Sequence, residues 1–433
     1  MKPARAFTAS PKRRTTRSPE FSDWFDYYAG YSPRFVTDVL DSLQLRAGQR
    51  VLDPWNGAGT TTFVASQRGV VATGFDINPA MVVVAKARLL GGEVKQSLKS
   101  LAKELLADSA RLSDRLDVDD PLRVWFYPAA ASRLRSIERT ICRALADQFD
   151  ARKSCSPKAL ENLSSLAAFY YVAAFRTARR LLKPFRTTNP TWTSVPKEQS
   201  ARLRPTREVL EANFLAEVDS MIKSRESTSL TEDHSAVDVG LGDARRLPLQ
   251  DASIDAVVAS PPYCTRIDYA VATRAELAVL GLPIESYNAI RASSMGTPVV
   301  RGTVARPAVE WGSTCTNFLA SVARHPSKAS AGYYHKNHVR YFACLHESLT
   351  ELARVLKPTA PCVLVVQDSN YKEHRNDLAQ IVSEMGLNVG LEPVSRVDFP
   401  TTKVLANIHR TANRYRPITC AVESAIWLRR SAD

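Results

Sequence analysis

Three short apolar runs in this chain each end on a carboxylate, and that recurrence narrows the fold more than any other feature. Arg50-Val51-Leu52-Asp53, residues 70–76 ending on Asp76, and Val237-Asp238-Val239-Gly240-Leu241-Gly242-Asp243 all read as strands that stop at an acid. Between the first two, Pro54-Trp55-Asn56-Gly57-Ala58-Gly59-Thr60-Thr61 reads as a glycine-containing loop opening a helix through Phe63 and Val64. Asn78-Pro79 opens the next helix. Strand, glycine turn, helix and a second strand tipped by an acid make the βαβ pattern of dinucleotide-type sheets. Later strands are predicted at 254–259, at 362–366, near Val389 and at 425–428. An amphipathic helix through Val339, Phe342, Leu345 and Leu349 precedes Lys357-Pro358. Strands alternating with helices predict an α/β fold with a mainly parallel sheet.

The pattern breaks twice, over 95–235 and over 285–335, and both stretches read as insertions. The first is helix-forming, with an apolar run at 163–175 that predicts a buried helix. Residues 1–20 read as an unordered basic arm, because six basic residues and few apolar ones cannot offset ordering entropy. The expected organisation is that arm, a catalytic domain made of 21–94 and 236–433, and an inserted helical domain over 95–235.

The formal charge of +14 favours polyanionic partners. Seven scattered cysteines without zinc spacing suggest free thiols in a reducing, intracellular setting, and a cytoplasmic location is expected. His335 and His338 lie three apart without a second pair, so no metal site is expected. No apolar run approaches the ~18 residues of a membrane span.

The acids suggest a ligand. A glycine turn at a helix N-terminus lets backbone approach closely, yet the loop is neither the dinucleotide fingerprint nor the Gly-Lys-Ser/Thr phosphate loop. Asp53 suits an amino acid's ammonium, Asp76 a pair of ribose hydroxyls, and Asp243 an adenine amino group. Together they describe a site for an adenosyl amino acid.

Ser260-Pro261-Pro262-Tyr263 follows the strand at 256–259 and carries the sharpest chemistry. The exocyclic amine of cytosine or adenine is a poor nucleophile, because its lone pair is conjugated into the ring. Two acceptors on its hydrogens draw that pair toward an electrophile. Ser260 Oγ and the Pro261 carbonyl can supply them, Pro262 stiffens the backbone, and Tyr263 is expected to stack on the base.

These elements resemble the amino-methyltransferase branch of the S-adenosylmethionine-dependent DNA methyltransferases. Asp53-Pro54-x-x-Gly57-x-Gly59 resembles the family's motif I, Asp76-Ile77-Asn78-Pro79 its second-strand motif, and Gly242-Asp243-Ala244 its third. Ser260-Pro-Pro-Tyr263 resembles motif IV, and the aromatic stretch with Tyr28, then Tyr31-Ser32-Pro33-Arg34-Phe35, resembles motif X. The resemblance covers about two thirds of the chain. It implies a class I methyltransferase fold, Rossmann-like, with a mainly parallel seven-stranded sheet carrying a large helical insertion. It implies S-adenosylmethionine held by Tyr28, Ser32, Pro33, Asp53, Pro54, Asn56, Gly57, Gly59, Thr60, Thr61, Asp76, Ile77, Asn78, Asp243 and Ala244. Methyl transfer to a flipped base in double-stranded DNA then falls to Ser260, Pro261, Pro262 and Tyr263. Ser at the first position of motif IV leans toward cytosine N4; adenine N6 is the alternative.

The sequence departs from the family in the order of its motifs and in the place of its insertion. Arg176, Arg179, Arg180, Lys183 and Arg186, within the basic stretch 176–207, together with Arg266, Lys403 and Arg410, are the expected DNA contacts. A restriction or other defence protein is an expected companion. An RNA base methyltransferase and a non-catalytic nucleic-acid-binding relative are the competing readings. Pro262-Tyr263 stands where C5-cytosine enzymes carry Pro-Cys, so thiol chemistry is set aside; Cys264 and Cys362 read as packing cysteines.

Overall fold

The computed structural model of the chain describes residues 9–12, 24–25, 30–112, 116–146, 160–187, 192–226, 236–265, 267–300, 302, 304–401 and 421–432. Tyr28, Arg266, Lys403 and Arg410, and most of the basic arm, lie outside them.

Nine strands are described: β1 (Arg50–Asp53), β2 (Val71–Asp76), β3 (Val237–Leu241), β4 (Ala256–Ala259), β5 (Pro361–Gln367), β6 (Ser369–Tyr371), β7 (His374–Asn376), β8 (Leu391–Thr401) and β9 (Ala421–Arg430). Seven form one sheet in the order β3-β2-β1-β4-β5-β9-β8, with β9 antiparallel to both neighbours and the rest parallel. β6 and β7 form a separate hairpin. Each central strand is buried on both faces, so it reads as a continuous apolar run rather than an alternating one.

Successive side chains feed opposite layers. Val51, Ala256, Val258, Val363 and Val365 pack with Phe35, Val36 and Val39 of α1 (Pro33–Leu43) and with Val64 and Ala65 of α2 (Thr60–Ser66). Leu52, Val257, Ala259, Cys362 and Leu364 pack against α11 (Ser313–Arg324), α12 (His335–Val355) and α13 (Leu378–Asn388). β1 and β4 therefore sit mid-sheet and end at its carboxyl edge, where α/β sheets bind ligands.

The block 95–235 is helical: α4 (Lys95–Ser109), α5 (Pro128–Leu145), α6 (Ser165–Leu181) and α7 (Arg207–Glu226). These helices share one apolar core with α3 (Pro79–Arg88) and with Leu277–Leu280 around α9 (Arg274–Val279), which follows the single-turn α8 (Tyr269–Ala272). At its centre Arg135, 1% exposed, binds Asp120 and Glu138 and donates to the carbonyls of Ala278 and Val279. A buried arginine with two acids and two carbonyls is fully satisfied, which buried charge requires.

The stretch 285–335, expected to be irregular, is largely helical instead. It holds α10 (Ile284–Ser293), α11 and a π-turn at Ser330–Tyr334. Gly296, Pro298, Gly302, Pro307 and Gly312 punctuate it often enough to hide the short helices from periodicity. Among the described residues no helix is long and apolar enough to cross a membrane.

Candidate active site

The loop after β1 is shaped by two close approaches. Gly59 has φ +77, and a Cβ there would lie 2.8 Å from the Cβ of Ala85 in α3. Gly74 in β2 leaves room for the buried Asn56 side chain, whose atoms lie within 2.5–2.8 Å of where a Cβ would stand. Asn56 Oδ1 accepts from Thr62 Oγ1 at 3.1 Å, and the Asn56 backbone N–H donates to the Phe75 carbonyl. The loop is thereby pinned across the ends of β1 and β2.

Asp53 ends β1 at 1% exposure, accepting the Trp55 amide at 3.1 Å. Burial drives its pKa up to about 7, against the neighbouring Thr61 hydroxyl, the Trp55 amide and the Tyr31 hydroxyl, with Asp76 adding to the rise. Asp76 ends β2; its two oxygens accept the Gly57 and Asn78 amides at 2.9 and 2.8 Å. Burial holds its pKa at about 6 despite those donors. Two desolvated carboxylates with no basic partner among the described residues are an unmet demand for positive charge or hydroxyl donors. Thr60 opens α2, and Thr61 Oγ1 donates to the Val258 carbonyl at 3.1 Å and meets the Tyr31 hydroxyl. Asn78 caps α3 through Ala80, its side-chain amide reaches Thr273 Oγ1 at 2.7 Å, and Ile77 is half-buried beside it.

Ser32 precedes Pro33 at the start of α1, but its side chain makes no cap bond; its amide donates to the Pro11 carbonyl. Asp243, with buried Ala244 beside it, is clamped by Arg245 through both oxygens and the backbone amide. Those bonds, together with Arg246, depress its pKa against a desolvation that pushes upward. It is therefore a fixed, ionised acceptor, unlike Asp53 and Asp76.

Beyond β4, Ser260 Oγ donates to the Val365 carbonyl of β5 at 3.1 Å. That bond commits the hydroxyl proton and leaves its oxygen lone pairs as acceptors. Pro261 is buried, and the Pro262 carbonyl accepts from Tyr341 of α12 at 2.7 Å, which braces the turn. The Tyr263 hydroxyl donates to Glu423 of β9 at 3.3 Å and lies beside Ser260. Asp53, Thr61, Tyr31, Ser260, Tyr263 and Glu423 thus form one polar cluster over the ends of β1, β4 and β5.

Tyr31, Tyr341 and Glu423 were not singled out from sequence as site residues. Glu423 left a signal: a lone acid in the run 420–428, where Ser424 is the one other polar residue.

The expected nucleic-acid contacts divide. Arg176 and Arg180 share Glu217 of α7, at 2.7 and 2.5 Å. Arg179 pairs with Glu276 of α9 and lies over the Phe25 ring at 4.6 Å. These three cross-brace helices, so their charge is largely spent inside the protein. Lys183 and Arg186 are exposed, with no acidic partner among the described residues.

His325, Glu373 and His374 place candidate ligand atoms within 4.8 Å of one another. His325 Nδ1, however, accepts the Ser327 amide at 3.1 Å, so its proton sits on Nε2 facing Glu373. A metal-ligating histidine ordinarily donates its other ring N–H to an acceptor, and here that nitrogen meets a donor instead.

Sheet order and acid-tipped strands together define the class I methyltransferase fold. No protein-family model matches the chain. The Type II methyltransferase M.BsoBI of Geobacillus stearothermophilus is similar at 21% identity over 300 residues, 66% of this chain. The match spans 58% of that relative's length. The Type II methyltransferase M.AvaI of Nostoc sp. is 34% identical over 56 residues, 13% of this chain and 12% of its own. Among solved structures, the rRNA methyltransferase AviRa of Streptomyces viridochromogenes aligns over 94% of this chain and 87% of its own, at 12% identity and a TM-score of 0.30.

Proposed function

We propose that this protein is a site-specific DNA methyltransferase that moves a methyl group from S-adenosylmethionine to the N4 amine of cytosine after base flipping. One observation carries the reading. At the end of central strand β4, the Ser260 hydroxyl spends its proton on Val365 and presents an oxygen acceptor beside the Pro261 carbonyl. The similarity to Type II methyltransferases supports the reaction class and the DNA substrate.

The donor set fits the cofactor. The desolvated pair Asp53 and Asp76 answers an ammonium and ribose hydroxyls, and the ionised Asp243 beside Ala244 answers an adenine amine. Gly57, Gly59, Thr60 and Thr61 bring backbone close to it, while Pro54, Asn56, Ile77 and Asn78 hold the loops; Tyr28, Ser32 and Pro33 belong to the methionine end. When bound, S-adenosylmethionine supplies an electrophilic methyl group.

The chain's own groups do the rest. Ser260 and the Pro261 carbonyl accept the amine hydrogens and unmask the nitrogen lone pair. Pro262, braced by Tyr341, keeps both acceptors in place, so catalysis is orientation and electrostatics. The Tyr263 ring borders the base, and its hydroxyl is anchored on Glu423. Lys183 and Arg186 meet the DNA backbone, joined by Arg266, Lys403 and Arg410; Arg176, Arg179 and Arg180 hold the helix that presents them. Activity belongs inside the cell, beside a restriction or defence partner. Labelled S-adenosylmethionine offered to unmethylated duplex DNA and to RNA tests this: label in DNA supports it, and label in RNA alone refutes it.

A further inference from the structure

Methyl transfer as described uses only one oxygen of a buried carboxylate, Glu423. Glu423 lies within β9, opposite Gln367 of β5 and Phe399 of β8, and is 5% exposed. Its strand neighbours Ala421, Ala425, Ile426 and Leu428 are core residues. One carboxylate oxygen accepts the Tyr263 hydroxyl, and the other, Oε2, has no hydrogen-bond partner among the described residues. Burying an acid without satisfying it costs stability, and an apolar residue would serve the sheet better. Such a group marks a site where function has overridden packing.

Its surroundings fix its character. Tyr263 faces it from the loop after β4, and Lys12 acts on it electrostatically from the N-terminal segment. The residues across from it on β5 and β8 are uncharged. Burial raises its pKa, and Lys12 and Tyr263 work against that rise. Asp53 and Tyr31 lie beyond Tyr263, toward the ends of β1 and α1.

We propose that Glu423 is the anionic group of the acceptor pocket, stabilising the positive charge that transfer places on the target amine and then taking the released proton. This rests on the methyl-transfer reading. As the amine nitrogen forms its bond to the methyl carbon, the carbon–sulfur bond breaks and its electron pair stays on sulfur. The positive charge therefore moves from sulfur to nitrogen. The methylated nitrogen then gives up a proton. The Ser260 hydroxyl and the Pro261 carbonyl are far weaker bases than a carboxylate, so Glu423 is the better transient acceptor, and burial raises its proton affinity further. Glu423 then releases the proton to solvent, which restores the anion. An anion at the acceptor end favours the transition state over the ground state, because the charge arrives there only during reaction.

The test compares two ligands by calorimetry on the full chain. Sinefungin carries a charged amine where the transferable group would be; S-adenosylhomocysteine lacks it. Glu423→Gln should lower the ratio of sinefungin to S-adenosylhomocysteine affinity by about tenfold, as for loss of a close charge partner. Glu423→Asp should keep most of the ratio, which guards against a folding defect. In the wild type the ratio should fall as acid protonates Glu423, and in the Gln variant it should stay flat. A Gln variant with the wild-type ratio and pH dependence overturns the proposal. Wild-type protein that binds neither ligand overturns it together with the methyl-transfer reading. Charge-dependent binding without methylation of any nucleic acid refutes the base-transfer reading alone and upholds the charge of Glu423.

Discussion

Asp53→Asn should make the ligand-free protein more stable and the cofactor site weaker, both from the same cause. Asp53 is 1% exposed and has no basic partner among the described residues, and burial lifts its pKa from 3.8 to about 7. A carboxyl with a raised folded-state pKa binds protons that the unfolded chain has already released. Stability therefore falls as pH rises from about 4 toward 7 and is flat above. At about 1.4 kcal/mol per pH unit, the difference corresponds to about 4 kcal/mol of unmet charge at pH 8. Asn keeps the shape and an acceptor for the Trp55 amide while removing the charge. Allowing for the new amide's own desolvation, a gain of about 1–3 kcal/mol at pH 8 is expected, with almost none at pH 4. S-adenosylmethionine binding should weaken by about ten- to a hundredfold, the loss of one hydrogen bond to a charged group. Denaturant unfolding at pH 4 and pH 8, paired with calorimetric titration of the ligand, measures both. A variant less stable than wild type at pH 8, or one with unchanged affinity, would show that Asp53 is not an unmet charge awaiting a cation.

The other expected outcomes are separable. Asp76→Ala should cut cofactor affinity more than tenfold by calorimetry, since it removes the acceptor and frees the Gly57 and Asn78 amides. Ser260→Ala should abolish transfer in single-turnover assays and leave cofactor affinity within about twofold, because the missing group acts on the amine. Gly74→Ala should cost about 1–3 kcal/mol in denaturant melts and loosen the cofactor, since the new methyl displaces the Asn56 side chain. Charge reversal at Lys183 and Arg186 should weaken DNA binding across all sequences and flatten its salt dependence by about one unit of slope for each phosphate no longer neutralised; unchanged slopes would place DNA elsewhere.

Most of the sheet was legible because its strands announce themselves twice. β1, β2 and β4 are apolar on both faces, and each stops at a residue that cannot continue the core: Asp53, Asp76 and the Pro261-Pro262 pair. Ser260 and the acids follow from position at a strand's carboxyl end. What stayed hidden depends on partners far along the chain. Arg176 and Arg180, one helical turn apart, look like a solvated stripe until Glu217, about forty residues on, is seen between them. The Asn56–Gly74 approach joins the loop after β1 to β2 through a missing side chain. Glu423 could be noticed in its strand but not assigned, because only the pairing of β9 with β5 brings it to Tyr263.

A base amine in DNA is the proposed methyl acceptor, and the role assigned to Ser260 depends on it. Unmethylated duplex DNA incubated with the protein and isotopically labelled S-adenosylmethionine, digested to nucleosides and resolved by mass spectrometry, tests it directly. Label is expected in N4-methylcytosine and should vanish with Ser260→Ala. Label in N6-methyladenine would contradict the cytosine assignment, and DNA without label would contradict the DNA acceptor itself.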